Sequence, residues 1–174
     1  MSAIHSTIRT NAEKSLDNPV ELISELNKYL IRSTSKNIFV TLVLGIIDLK
    51  TGQLRYVNCG HPPAFVLRKE RDEIEKLTRT GLALGMMSQG QFTQGSSTLN
   101  AGDSLIVYSD GVTDAMNSKE EMYEESQLTR LLTRTRGSDT VHIMERVLKS
   151  VSEFIEPAEQ SDDISLLLVG RKSC

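Results

Sequence analysis

Tryptophan is absent from this 174-residue chain, and aromatic residues make up only 5% of it. A platform for stacking nucleic-acid bases is therefore not expected. Two cysteines, Cys59 and Cys174, are too few for a disulfide framework, and their spacing fits no metal motif. Cys59 reads as a small core residue, as free cysteines usually are. No apolar run approaches the roughly 18 residues that a membrane span requires. The opening Met1-Ser2-Ala3-Ile4-His5-Ser6 lacks the basic and then apolar pattern of a secretory leader, so a reducing cytoplasm is the expected compartment. There is no basic surplus: the net charge is −3, which argues against nucleic acid as a main partner. Neither a His-x-x-x-His nor a Cys-x-x-Cys pair occurs, so zinc is not indicated.

What is present is an ordinary globular composition, 39% hydrophobic and 25% charged, of a length suited to one domain with one core. Ile4, Ile8, Ala12 and Leu16 mark one helix face over 4–16, which begins as though cut from something longer. Asn18 and Pro19 are a cap and first position for a second helix with Leu22, Ile23, Leu26, Leu30 and Ile31 on its apolar stripe. Phe39 to Asp48 is a nearly continuous apolar strand, expected to be buried on both faces. Short strands follow at 53–59, 64–67, 74–77, 92–99 and 105–108, separated by turns. A short helix is expected from Asp110 through Asn117, a second around Leu128, Leu131 and Leu132, and a third capped by Ser138 or Asp139. The third presents Val141, Met144, Val147, Leu148, Val151 and Phe154 or Ile155, and stops at Pro157. Ile164 to Val169 closes the chain as a buried strand. Strands in the middle with helices at both ends read as α+β, a layered sandwich.

The stretch Gly102-Asp103-Ser104-Leu105-Ile106-Val107-Tyr108-Ser109-Asp110-Gly111 is turn, core strand, carboxylate and glycine. Asp110 stands where a strand ends, and Gly111 lets the backbone approach a bound group closely. Asp162 and Asp163 stand where the last strand starts. Antiparallel pairing of these two strands would bring both acidic sites to one sheet edge. Carboxylates gathered there repel unless a cation lies between them, and oxygen ligands suit Mg²⁺ or Mn²⁺. Ordinary turn chemistry is the alternative for each acid taken alone.

Several signatures, in order, carry a resemblance. They are Phe39-Val40-Thr41-Leu42; Asn58-Cys59-Gly60-His61-Pro62-Pro63; Leu84-Gly85; Ala101-Gly102-Asp103; Tyr108-Ser109-Asp110-Gly111-Val112-Thr113-Asp114; and Ser161-Asp162-Asp163-Ile164-Ser165. Together they resemble the bacterial PPM-type, metal-dependent serine/threonine phosphatases of the SpoIIE and RsbU branch. The resemblance covers the whole chain as a single domain, 1–174, equivalent to the C-terminal two-thirds or so of that family's domain. It implies an antiparallel β-sandwich flanked by helices, in αββα layers, with a binuclear Mn²⁺ or Mg²⁺ site. It implies Asp110 and Asp162 as metal ligands, Gly111 and Asp163 as supporting residues, and no catalytic residue beyond the ligands. The implied substrate is a phosphorylated regulatory protein, a STAS-type anti-sigma-factor antagonist in partner-switching signalling.

One departure is large. The family's Asp-x-x-Gly-His-Gly-like motif, which supplies the bridging aspartate, does not occur in these 174 residues. The expectation is an N-terminally incomplete domain, either a fragment of a longer protein or a natural short form, with weak or no activity; the rival is a non-catalytic phosphatase-like protein-binding module. An incomplete sheet would also expose an edge and favour a homodimer. Among the other candidates, His61 reads as a turn residue, Met86 and Met87 as core filling with an adaptable contact patch for a protein substrate as the alternative, and Asp114 as a helix cap with dipole stabilisation, with reach to an additional metal as the alternative. Ser109 and Ser165 have no base beside them. Where the family has Tyr-Gly this chain has Tyr123-Glu124, so that loop is expected to differ.

Overall fold

The computed structural model describes residues 8–9, 17–33, 38–71, 73–158, 160 and 162–172. Most of the helix expected over 4–16 lies outside the described residues. These form two compact units: one comprises the chain up to His61 with Thr78–Thr98, the other Pro62–Leu77 with the chain from Leu99 onward.

The first unit holds helix α1 (Pro19–Ser33) and the strands β1 (Leu42–Ile47), β2 (Gln53–Cys59) and β5 (Gly95–Thr98). Asn18 caps α1 as expected: its Oδ1 accepts from the Glu21 N–H at 3.2 Å. The stripe Leu22, Ile23, Leu26 and Leu30 is buried with Val57, Cys59, Leu84 and Phe92. Burial pushes the Cys59 thiol up to about 12, so it is a core residue and not a nucleophile. The sheet order is β1-β2-β5, all antiparallel. At the β1–β2 turn, the Asp48 carboxylate accepts from the N–H groups of Lys50 and Thr51. β1 lies at the sheet margin and its residues are only half-buried or exposed. The expectation of a strand buried on both faces is therefore overturned: Leu42 and Leu44, on one face, pack against the core, but no residue of β1 is fully buried.

His61 is a turn residue as expected. Its N–H donates to Oδ1 of the buried Asn58 at 3.0 Å, and its Nδ1 lies 3.2 Å from Thr41 Oγ1. Met86 and Met87 do not fill the core; they are 57% and 54% exposed. Buried Asn27 holds their loop by the backbone, accepting from the Gly85 N–H and donating to the Met87 carbonyl.

The second unit holds β3 (Ala64–Leu67), β4 (Ile74–Leu77), β6 (Ser104–Tyr108), α2 (Asp110–Thr113), α3 (Glu124–Arg134), α4 (Thr140–Ile155) and β7 (Leu166–Gly170). The sheet order is β4-β3-β6-β7, again antiparallel. Alternate residues Phe65, Leu67, Ile106 and Tyr108 face one way and are buried with Leu128 and Leu132 of α3 and with α4. Asp139 caps α4, its side chain accepting from the His142 N–H at 2.8 Å. The buried face of α4 is Ile143, Val147, Val151 and Ile155. Val141 and Leu148, expected on that face, are exposed. The fourfold spacing beginning at Ile143 wins because it places four branched side chains in one column over the sheet. Each such burial contributes roughly 1.5–3 kcal/mol. On β7, Leu166 and Leu168 pack on this core, while Leu167 is 59% exposed.

Helix α2 is one turn and stops at Thr113 instead of running to Asn117. Asn117 ends it by organising a loop, with its side-chain oxygen accepting from the N–H groups of Lys119 and Glu121. Tyr123 anchors the loop's far side: it is buried, and its hydroxyl lies 2.7 Å from Ser150 Oγ. Glu124 follows with φ 61°, a left-handed conformation that glycine adopts freely and glutamate does not. The Glu in place of Gly is thus accommodated by strain. Glu124→Gly is expected to raise unfolding free energy by about 1 kcal/mol, with Glu124→Ala giving no gain. Urea denaturation of both variants checks this; equal midpoints would place the strain elsewhere.

Candidate metal centre

Strand β6 ends at Tyr108 opposite Leu166, the first residue of β7. Asp110 therefore leaves the sheet at the edge where Asp162 and Asp163 enter it. Three backbone-linked bonds lock this edge. The Ser109 N–H donates to the Ser165 carbonyl at 2.9 Å. The Ser109 hydroxyl donates to the Asp163 carbonyl at 3.0 Å and accepts from the Ser165 N–H at 2.8 Å. Ser109 is therefore a structural tie and not a nucleophile, joining the segment that carries one acid to the segment that carries the others. A serine beside Asp110 and another just after Asp163 were the sequence signal for it.

Gly111 is buried, and a Cβ placed on it would lie 2.4 Å from the Asp163 carbonyl oxygen. Only a residue without a side chain lets the two segments meet here. Asp110, Asp162 and Asp163 are all exposed. One oxygen of Asp162, Oδ1, accepts from the Asp163 N–H at 2.7 Å. Asp114 closes α2 at its C-terminal end, its N–H donating to the Asp110 carbonyl at 2.8 Å. A carboxylate there opposes the helix dipole, so the expected dipole stabilisation is absent.

An exposed, all-oxygen donor set suits a hard divalent cation that keeps several waters. Among the described residues no group of three or more His, Cys, Asp and Glu side chains is placed to hold an ion.

The family model for stage II sporulation protein E, SpoIIE, matches residues 1–172. Protein IcfG of Synechocystis is 37% identical over 133 residues, covering 76% of this chain and 21% of IcfG. The phosphoserine phosphatase RsbU of Bacillus subtilis is 23% identical over 154 residues, covering 88% of this chain and 45% of RsbU. The chain thus spans less than half the length of either relative. Among solved structures, the Mn-presoaked phosphatase domain of Bacillus subtilis SpoIIE superposes with a TM-score of 0.69 at 25% identity, over 93% of this chain and 70% of that one. No helix among the described residues is long and apolar enough to cross a membrane. With its antiparallel sheets and flanking helices, this chain belongs to the SpoIIE family of PP2C-type protein serine/threonine phosphatase domains.

Proposed function

We propose that the chain is part of a metal-dependent phosphatase that hydrolyses phosphoserine or phosphothreonine on a regulatory protein. The substrate class is a STAS-type anti-sigma-factor antagonist in partner-switching signalling, and the cation is Mn²⁺ or Mg²⁺. One observation supports this above the rest: the β6–β7 ladder brings Asp110 and Asp162–Asp163 to a single sheet edge. A divalent cation at such an edge acts as a Lewis acid toward a phosphoryl oxygen and lowers the pKa of water. Asp110 and Asp162 hold the cation; Gly111 and the Asp163 carbonyl keep the two segments in register.

The donor count bears on rate. A binuclear site, with ions about 3.5–4 Å apart, clamps both attacking and leaving oxygens. Two carboxylates favour one weakly held ion, so turnover by this chain is expected to be slow. The same count favours the rival reading, a protein-binding module without catalysis. Mn²⁺ titration calorimetry with hydrolysis of p-nitrophenyl phosphate separates them. Asp110→Asn and Asp162→Asn should each lower Mn²⁺ affinity and any Mn²⁺-dependent turnover by at least ~10–100-fold, the range seen on losing even outer-shell partners. Absence of Mn²⁺ binding supports the module. Robust turnover unaffected by either substitution would remove the chemistry from this edge.

A further inference from the structure

At the opposite end of the β6–β7 ladder from Asp110, a cleft of about 240 Å³ opens between the sheet and the start of α4. Ser104 and Gly170 pair there, four residues from the Tyr108–Leu166 pair and so about 14 Å from it. Ser104 lines the cleft and is only 5% exposed, yet its hydroxyl makes no hydrogen bond among the described residues. The hydroxyl therefore faces the cleft, where a bound group can take its hydrogen bond. It lies on the same face as Ile106 and Tyr108, toward the α4 side. A Cβ on Gly170 would lie 2.9 Å from Thr140 Cγ2 and 3.7 Å from the Ser104 hydroxyl, so the bare glycine lets the first turn of α4 come close to that hydroxyl.

The charge around the cleft is selective. Lys69, Arg171 and Lys172 line it, against the carboxylates of Asp103 and Asp139. Both carboxylates are already engaged: Asp103 by Arg68 and the N–H groups of Lys69 and Asn100, Asp139 by the His142 N–H. Arg171 spends one nitrogen on the Leu99 carbonyl but keeps its charge. The first turn of the 16-residue helix α4 adds N–H groups that lack helical acceptors.

We infer that this cleft binds a small oxyanion, a phosphate group, at a site separate from the carboxylate edge. The Ser104 hydroxyl donates to it, and Lys69 and Lys172 neutralise it. Its volume admits a phosphate with a small substituent and little more. Free inorganic phosphate and the phosphoryl group of a phosphoamino acid share this chemistry.

The test is amide NMR of the whole chain with a metal chelator present, so that no cation at Asp110 recruits the anion. Sodium phosphate and O-phosphoserine are titrated separately against sodium chloride at matched ionic strength. Saturable shifts are expected at Ser104, Thr140 and Gly170, with Kd on the order of 1 mM, and none at Gly111 or Val112. Tighter binding of O-phosphoserine assigns the site to a phosphorylated side chain; equal or weaker binding assigns it to free phosphate. Ser104→Ala should weaken phosphate about tenfold while leaving the fold intact, because the hydroxyl makes no hydrogen bond within the described residues. Lys69→Ala with Lys172→Ala should abolish saturation. Equal shifts with chloride, or phosphate shifts that survive all three substitutions, would overturn the inference.

Discussion

Asp103→Ala is expected to cost about 3–5 kcal/mol of stability, the range for removing one partner of a buried ion pair. Asp103 is 3% exposed. Its Oδ2 accepts from Arg68 Nη1 at 2.7 Å and from the Asn100 N–H at 2.9 Å, and its Oδ1 accepts from the Lys69 N–H at 3.0 Å. Arg68 also pairs with Glu75. Removing the carboxylate strands two backbone donors and takes one carboxylate away from a largely buried guanidinium. The turn before β6 and the far end of β7 are affected together, because the Arg171 N–H donates to the Asp103 carbonyl.

The effect carries a pH signature. Burial pushes the Asp103 carboxyl up, but the bonds from Lys69, Arg68 and Asn100 outweigh it and hold the group below the ordinary carboxylate range. The folded pKa is therefore lower than the unfolded one. The contribution is complete above the unfolded value of about 3.9 and is lost as pH falls through the folded value. Wild type and Asp103→Ala should differ by a constant amount from about pH 5 to 7, and the gap should narrow below about pH 4. Urea denaturation across that range measures it. A gap that stays constant into acid would mean that the carboxylate's charge is not what stabilises the turn.

Asp103 also marks where local reading stops. The sequence shows an acid in an Asn-Ala-Gly-Asp turn before an apolar strand, and nothing near it names Arg68, 35 positions away. Elements governed by neighbours along the chain are legible. Strands β2, β3 and β4 have the bounds read from alternation and turn residues, and the Asn18 and Asp139 caps stand where short polar side chains precede apolar periodicity. What depends on the rest of the sheet is not. β1 and β7 read as buried strands because both are continuous apolar runs, yet both lie at sheet margins and remain partly exposed. Ile143 escapes the helical pattern because Val141 and Met144 offer an equally regular face. The Asp110 edge follows only once the pairing of β6 with β7 is assumed. The Ser104 cleft leaves no trace, since its cations come from separated segments.

Gly111→Ala should cost about 3 kcal/mol, at the upper end for forced overpacking. The added Cβ would meet the Asp163 carbonyl oxygen at 2.4 Å and its carbon at 3.0 Å. Both are backbone atoms, so no rotamer change relieves the clash. The segment carrying Asp162 and Asp163 has to withdraw, against the Ser109–Asp163 and Ser165–Ser109 hydrogen bonds that hold it in place. Mn²⁺ affinity should therefore fall by at least ~10-fold, although no carboxylate has been touched. Gly137→Ala is the control: Gly137 has φ 77° but nothing within 4 Å of a new Cβ. It should cost about 1 kcal/mol through backbone strain alone and leave Mn²⁺ binding unchanged. If calorimetry and urea denaturation find the two glycine variants alike, the close approach of α2 to Asp163 does not position the acids, and the cation's ligands have to be sought away from this edge.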